Sequence, residues 1–325
     1  MDARAEVEDS ANVVKALVVT GFGDGENLSL EERAVPEVGP DDIRVRVTAC
    51  GANASDWEFI SGNPLYGRIS RWAWKIDVCG SDVAGVVEAI GERVTGFEAG
   101  DRVVADTFET FGGFAEYCVA KADRWVKIPA SISDVEAAAL PQSGAIALDF
   151  VSDVEPGHAV LINGGGGGSG PYAIQLAKAK GAEVWAVDNA AKQHAMRSAG
   201  ADHVLDFATE DFTALPQRFD RVLDLWGTRA PGVVARSLTP RGRYRLVGGP
   251  MGILLRVVMR GLVSRGRLGL LMVNQGPRAV AAMLDAVVAH AVRPNVGETA
   301  ALSEAPAALA RMGRREIAGK LVITF

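Results

Sequence analysis

Cysteine, histidine and aromatic side chains are scarce in this chain. Three cysteines among 325 residues, Cys50, Cys79 and Cys118, are too few and too scattered for a disulfide framework. They read as small buried hydrophobes, and a reducing cytoplasm is the expected setting. The four histidines, His158, His194, His203 and His290, do not pair with those cysteines at metal-ligand spacing. Positive charge is not in excess: a net charge of −6 leaves no electrostatic footprint for a nucleic acid. Clean membrane spans are missing too. The most apolar region, Met251–Val273, is broken by Arg256, Arg260, Arg265 and Arg267, and no membrane partner is expected. The opening residues, MDARAEVEDSANVV, are acidic and lack the apolar core of a secretion signal. They read as a loose extension before a first strand near Lys15.

Two textures fill the rest. From Lys15 to about Ile128, short strand-like runs such as KALVVTG, DIRVRVTACG, SDVAGVVEAIG and DRVVAD are separated by Gly, Pro and Asp turns, which predicts a β-rich domain. From about Ser133 the pattern becomes strand, helix, strand, helix. Strands are expected at Ala159–Asn163, Glu183–Val187, His203–Phe207, Arg221–Leu225, Tyr244–Gly248 and Leu268–Asn274, with helices such as Pro171–Lys180 and Ala191–Ala199 between them. This alternation predicts a parallel, doubly wound α/β sheet. The closing run, GKLVITF, is strand-like again and returns the chain to the β-rich domain.

Five consecutive glycines, Gly164 to Gly168, stand between the first of those strands and a helix. Gly164, Gly167, Gly168 and Gly170 fit a phosphate-cradling loop, because bare backbone turns tightly and approaches a pyrophosphate without a Cβ in the way. Ser169 and Gly170 lead into the helix, whose free N–H groups favour an anion, and Pro171 suits its first turn. Asp188 ends the second strand, 18 residues after Gly170. A carboxylate there accepts hydrogen bonds from the adenosine ribose and repels a 2′-phosphate, so NADH is expected over NADPH. Lys192 is the nearest cation and touches either ribose or phosphate.

These residues, with GSDVAGVVEAIGERVTGFEAGDRVVA, GGFAEYCVAKADRWVKIPASISDVEAAALP and the closing AGKLVITF, resemble the medium-chain dehydrogenase/reductase superfamily, in its zinc-free quinone-oxidoreductase and enoyl-reductase branch. The resemblance covers Lys15 to Phe325. It implies a GroES-like catalytic domain from both chain ends, residues 1–132 and 275–325, around a Rossmann domain, residues 133–274. A homodimer is expected. Zinc-using relatives carry Cys at Asn53 and a Gly-His-Glu at Gly80-Ser81-Asp82, so no zinc is expected here. Without a Lewis acid, delocalised charge is easier to stabilise than a localised alkoxide. The expected substrate is therefore an apolar or aromatic conjugated carbonyl compound or a quinone.

By the same resemblance Asn53 lies beside the nicotinamide, where its amide bonds a ribose hydroxyl or the substrate oxygen. Tyr66 stands near the proton-donor position of related enoyl reductases. Ser55 matches a serine that relays protons in zinc enzymes, a role that falls away without the metal. Trp57, Trp72 and Trp74 are expected to line the substrate pocket as flat apolar walls, with Arg68, Arg71 and Lys75 on a solvated face. Trp226, Gly227, Gly248, Gly249, Val273 and Asn274, at successive strand ends, are expected along the nicotinamide half. Phe207 stands where NADPH-using relatives carry a tyrosine. Two other readings stay open at this point: a zinc-free alcohol dehydrogenase or ketoreductase, and a non-catalytic nucleotide-binding protein.

Overall fold

The computed structural model describes residues 13–325; the N-terminal extension lies outside the described residues. Among the described residues there are fifteen strands: β1 Val13–Val19, β2 Leu28–Ala34, β3 Asp42–Gly51, β4 Asp82–Ile90, β5 Arg102–Asp106, β6 Tyr117–Lys121, β7 Trp125–Lys127, β8 Ala159–Asn163, β9 Glu183–Asp188, β10 His203–Asp206, β11 Phe219–Asp224, β12 Leu238–Leu246, β13 Leu268–Leu270, β14 Val296–Ala301 and β15 Lys320–Thr324. Among the same described residues seven helices run eight residues or longer: α1 Ala54–Ser61, α2 Leu65–Trp74, α3 Pro141–Val151, α4 Gly170–Ala179, α5 Met251–Val263, α6 Pro277–Val288 and α7 Ala305–Gly313.

The strands form two large sheets. One has the order β14-β15-β3-β4-β5-β7, with β6 also paired to β3. β15 runs antiparallel to β3, pairing Val322 with Gly51, so the end of the chain does close the first sheet. The other sheet is parallel throughout, in the order β10-β9-β8-β11-β12-β13. Its strands reverse direction of succession between β8 and β11, the point at which doubly wound sheets open a crevice beyond their carboxyl ends. β8 is buried at every residue because helices cover both faces, which explains its unbroken Ala-Val-Leu-Ile run. A separate hairpin, β1 with β2, touches the first sheet through bridges Ala16–Ala115 and Val18–Val78.

One apolar core joins the two sheets. Ala49, Ala84 and Val322 from the first share a cluster with Val160, Ile162 and Val184 from the second, through Ala137 to Leu140 and Tyr172. The cleft between the sheets is thus backed by packed side chains.

Several elements depart from the sequence reading. β12 starts earlier, at Leu238, and stops at Leu246, because its parallel partner β11 starts at Phe219. β13 is three residues long, and Leu271 to Asn274 leave the sheet. The segment after β3 carries two helices, α1 and α2, inside what reads as a β-rich domain. Residues 251–263 of the apolar region form α5, in which Val257 alone is buried. The three cysteines are free and buried. Burial pushes the Cys50 and Cys79 thiols well up and Cys118 to about 12, so all three behave as hydrophobes.

Candidate active site

The floor of the cleft is the glycine loop. Gly164 has φ +93°, a left-handed conformation that glycine adopts without strain. A Cβ at Gly170 would lie 2.4 Å from the Gly165 carbonyl oxygen, and one at Gly166 would lie 2.5 Å from Lys192 Cβ. Those glycines close the turn on itself. Gly167 and Gly168 differ: a Cβ on Gly167 would meet nothing nearer than 3.5 Å, and both residues are half-buried. They form the open lip of the cradle, at the N-terminus of α4. Ser169 precedes that helix without capping it, which leaves its hydroxyl available. A loop with this shape fits a dinucleotide pyrophosphate.

Asp188 is buried at the end of β9. Its carboxylate accepts from the Gly166 N–H at 3.0 Å and the Asn189 N–H at 2.9 Å. Lys192, also buried, places Nζ 3.8 Å from the same carboxylate. Arg315 stacks its guanidinium over the Trp226 ring and feels the Asp188 charge, although burial pulls its pKa below the usual arginine value. Asp188 therefore braces the loop and attracts two cations, one of them from the far end of the chain. Phe207 is exposed, with its N–H on the Asp188 carbonyl.

The upper part of the cleft is built on Asn53. The backbone N–H of Asn53 donates to Asp56 Oδ2 at 2.8 Å, and the Gly80 N–H donates to Asp56 Oδ1 at 2.8 Å. Asp56 is fully buried, and burial pushes its pKa up to about 7. This bond fixes the start of α1 and leaves the Asn53 side chain for the cleft. Asn53 Oδ1 accepts from the ammonium of Lys320, the first residue of β15. Lys320 Nζ also donates to Asp82 Oδ2 at 2.9 Å and Ser143 Oγ at 3.3 Å. Burial pushes the Asp82 carboxyl up against the pull of that ammonium. An ammonium only donates, so it dictates which way the Asn53 amide faces: oxygen toward Lys320, nitrogen toward Ser81 Oγ at 3.3 Å. Gly168 and Lys320 are neighbours, since a Cβ on Gly168 would lie 3.5 Å from Lys320 Cδ. The phosphate cradle and the Asn53 site thus meet at one buried lysine.

Tyr66 donates its hydroxyl to Glu58 Oε1 at 2.6 Å. Burial and the Glu58 charge push the Tyr66 pKa up, and burial raises that of Glu58. Glu58 faces the second domain, 3.9 Å from where a Cβ on Gly248 would be. Gly227, with φ +56°, packs under the Gly248 carbonyl, and Gly249 takes φ +141° beside it. Val273 is half-buried; Asn274 is exposed and commits both its N–H and its amide to Asp149.

The three tryptophans do not come together. Trp57 packs on α7, where a Cβ at Gly313 would strike its indole. Trp72 is 82% exposed. Trp74 packs edge-on against Phe59 and Phe108. Spacings of 15 and 2 residues on helices α1 and α2 put the rings on three faces, so a tryptophan-walled pocket is not formed. Arg71 is not on a solvated face: it donates to the carbonyls of Val19 and Gly21 and stacks on Phe22. Arg68 donates to the Gly62 carbonyl, and Lys75 caps α2 with φ +54°.

The sequence reading missed Lys320, Asp82 as its partner, Glu58 and Arg315. The closing Gly-Lys pair marked a family resemblance, but nothing local shows that its lysine turns inward across two strands.

Two family profiles, several curated proteins and solved structures match the chain. The alcohol dehydrogenase GroES-like domain profile matches residues 39–130, and the zinc-binding dehydrogenase profile matches residues 199–323. The 2-methylene-furan-3-one reductase of Solanum lycopersicum is 32% identical over 241 residues, 69% of this chain and 61% of that protein. The 2-haloacrylate reductase of a Burkholderia species is 30% identical, across 96% of this chain and 99% of that protein. The quinone oxidoreductase of Coxiella burnetii has a similar structure, with TM-score 0.86 at 26% identity over 96% of this chain and 99% of that one.

Proposed function

This chain belongs to the medium-chain dehydrogenase/reductase superfamily, in its quinone-oxidoreductase branch, and we propose that it reduces a conjugated carbonyl compound or a quinone with NADH and without zinc. It is an oxidoreductase that uses a nicotinamide cofactor. The observation that carries the substrate class is the orientation of Asn53, whose amide oxygen is held by Lys320 and whose amide nitrogen, on Ser81 Oγ at 3.3 Å, is the donor that a substrate oxygen would take over.

A bound nicotinamide dinucleotide supplies the hydride. Gly167, Gly168 and Ser169 would hold its pyrophosphate, and Asp188 the adenosine ribose. When hydride reaches the β-carbon of an enone, negative charge moves to the carbonyl oxygen. Asn53 Nδ2 donates to that oxygen, and the buried Lys320 ammonium behind it favours the charge. The α-carbon then takes a proton from the Tyr66 hydroxyl or from water. Tyr66 beside an ionised Glu58 is a poor acid, so the competent state holds Glu58 protonated. A quinone needs less of this machinery because solvent protonates its oxygens.

The donor set argues for zinc independence. Asn53 and Ser81 take the positions of thiolate and imidazole, and Lys320 aims an ammonium at the same place, where it would repel a dication. Among the described residues no group of three His, Cys, Asp or Glu side chains converges on a point. The preference for NADH is supported by Asp188: a 2′-phosphate would compete with its carboxylate for Lys192 and Arg315. Residues 1–132 with 275–325 serve as the catalytic part, and 133–274 as the cofactor-binding part.

Deuterium transfer tests the chemistry. With NADH labelled on the transferred position, the label should appear at the β-carbon of a saturated ketone. Label on a carbinol carbon, with the alkene intact, would instead establish carbonyl reduction. Dialysis against a strong chelator should leave turnover unchanged.

A further inference from the structure

Between the end of β13 and the start of α6 the chain runs without regular structure at the carboxyl end of the parallel sheet. The Leu271 N–H donates to the carbonyl of Leu246 at 2.8 Å, next to the strand end that carries Gly248. Beyond that bond, the N–H groups of Met272, Val273 and Gln275 meet no hydrogen-bond partner among the described residues, which leaves them for solvent or a ligand. Asn274 is different. Its N–H donates to Asp149 Oδ2 at 2.6 Å and its Nδ2 to Asp149 Oδ1 at 2.9 Å. One carboxylate takes two donors of one residue, and a grip at two points fixes orientation as well as distance.

Asp149 belongs to α3, and α3 is tied to the other side of the cleft. At its N-terminal end the Gln142 N–H donates to the Asp82 carboxylate at 3.3 Å, and Ser143 Oγ accepts from Lys320 Nζ at 3.3 Å. Ser55 Oγ donates to Gln142 Oε1 at 3.3 Å. Asp149 lies about 9 Å along the helix from Ser143, at about 1.5 Å per residue. A Cβ on Gly144 of α3 would lie 2.4 Å from Met283 Cγ of α6, so these two helices are in close contact. The irregular segment is therefore referred to α3 twice, through Asp149 and through α6.

We propose that Asp149 is a positioning residue for hydride transfer. Both of its oxygens are taken by Asn274, so it acts through that residue. It sets the Val273 backbone at a fixed distance from the Asn53 and Lys320 network, which the same helix holds at its other end. The inference rests on the reading that a nicotinamide dinucleotide lies along these strand ends. Such a brace matters because a misplacement of about 1 Å at the reacting atoms can cost about 10²-fold in rate.

Paired titrations of the full chain with NADH and with ADP-ribose, which lacks the nicotinamide, test this. Asp149→Leu should weaken NADH roughly tenfold and leave ADP-ribose within about twofold. It should also slow single-turnover reduction of 1,4-naphthoquinone by NADH roughly tenfold. Asn274→Asp sets two carboxylates against each other and should act alike. Combining it with Asp149→Asn exchanges donor and acceptor, restores both bonds, and should return NADH affinity and the single-turnover rate to near the parent values. Equal weakening of NADH and ADP-ribose in Asp149→Leu would make the pair a merely structural contact and overturn the proposal. So would a double variant no better than Asn274→Asp alone. A parent chain that binds neither titrant would overturn the cofactor reading itself, whereas a parent that binds both, with the ratio unchanged in every variant, would overturn the positioning role alone.

Discussion

Lys320 Nζ lies 2.9 Å from Asp82 Oδ2, and both side chains are buried although 238 residues separate them. Their strands, β15 and β4, flank β3, so the sheet itself holds the two charges together. Removing one partner of a buried ion pair leaves the other uncompensated, at a cost of about 3–5 kcal/mol. Lys320→Met should therefore lower stability by an amount of that order and lower kcat, because Asn53 loses its orientation. Adding Asp82→Asn should recover much of the stability, measured by denaturant unfolding, without recovering kcat. Full recovery of turnover in the double variant would show that Lys320 has no part in the reaction.

The two ends of the glycine loop should respond oppositely to one methyl group. Gly170→Ala places a Cβ against two carbonyl oxygens and should destabilise the fold. Gly167→Ala meets only ordinary contacts, so its melting temperature should stay near that of the parent. Its new methyl stands on the lip of the cradle and should weaken NADH binding roughly tenfold, about 1.4 kcal/mol. Titration of NADH fluorescence on both proteins gives the comparison.

Asp188→Ser should change cofactor preference. It frees Lys192 and Arg315 from the carboxylate, so NADPH affinity should rise while NADH affinity falls. A parent enzyme that already binds NADPH tenfold better than NADH would contradict the assignment of Asp188 to the ribose.

Tyr66 and Glu58 predict a pH profile. Burial raises the Glu58 pKa, and its protonated form is the one that lets Tyr66 act as an acid. Enone reduction should therefore decline as pH rises through that raised pKa. Glu58→Gln should flatten the decline, and Tyr66→Phe should slow the enone reaction by roughly 10²-fold. Quinone reduction should change less in both variants.

Asp106 predicts a pH-dependent stability. Its Oδ2 is buried without a partner, and burial with the nearby Asp82 pushes its pKa up to about 7. An unfolded aspartate loses its proton near pH 4. Between about pH 4 and about 7 the folded chain keeps a proton that the unfolded chain has lost, so stability falls as pH rises across that window and levels off above it. Asp106→Asn should remove up to about 1.4 kcal/mol per pH unit from that slope. Thermal melts of both proteins across the window read the difference directly.

Local sequence by itself determined the cofactor half. β8 falls at Ala159–Asn163 as its unbroken apolar run requires, the glycines follow it at once, and α4 begins beside Pro171. Each of these signals lies within a few residues of the feature it specifies, because strand burial, tight turns and helix starts are set by neighbours along the chain. The catalytic half was decided by tertiary structure. Trp57, Trp72 and Trp74 look like one cluster in sequence, yet a helix rotates successive side chains by about 100° and sent them to a core, to solvent and to a phenylalanine edge. Likewise, Lys320 differs from a surface lysine only in what surrounds it. A lysine is buried as a charge only where a carboxylate is brought to meet it, and here Asp82 and Asn53 reach it through strand pairings that no local pattern encodes.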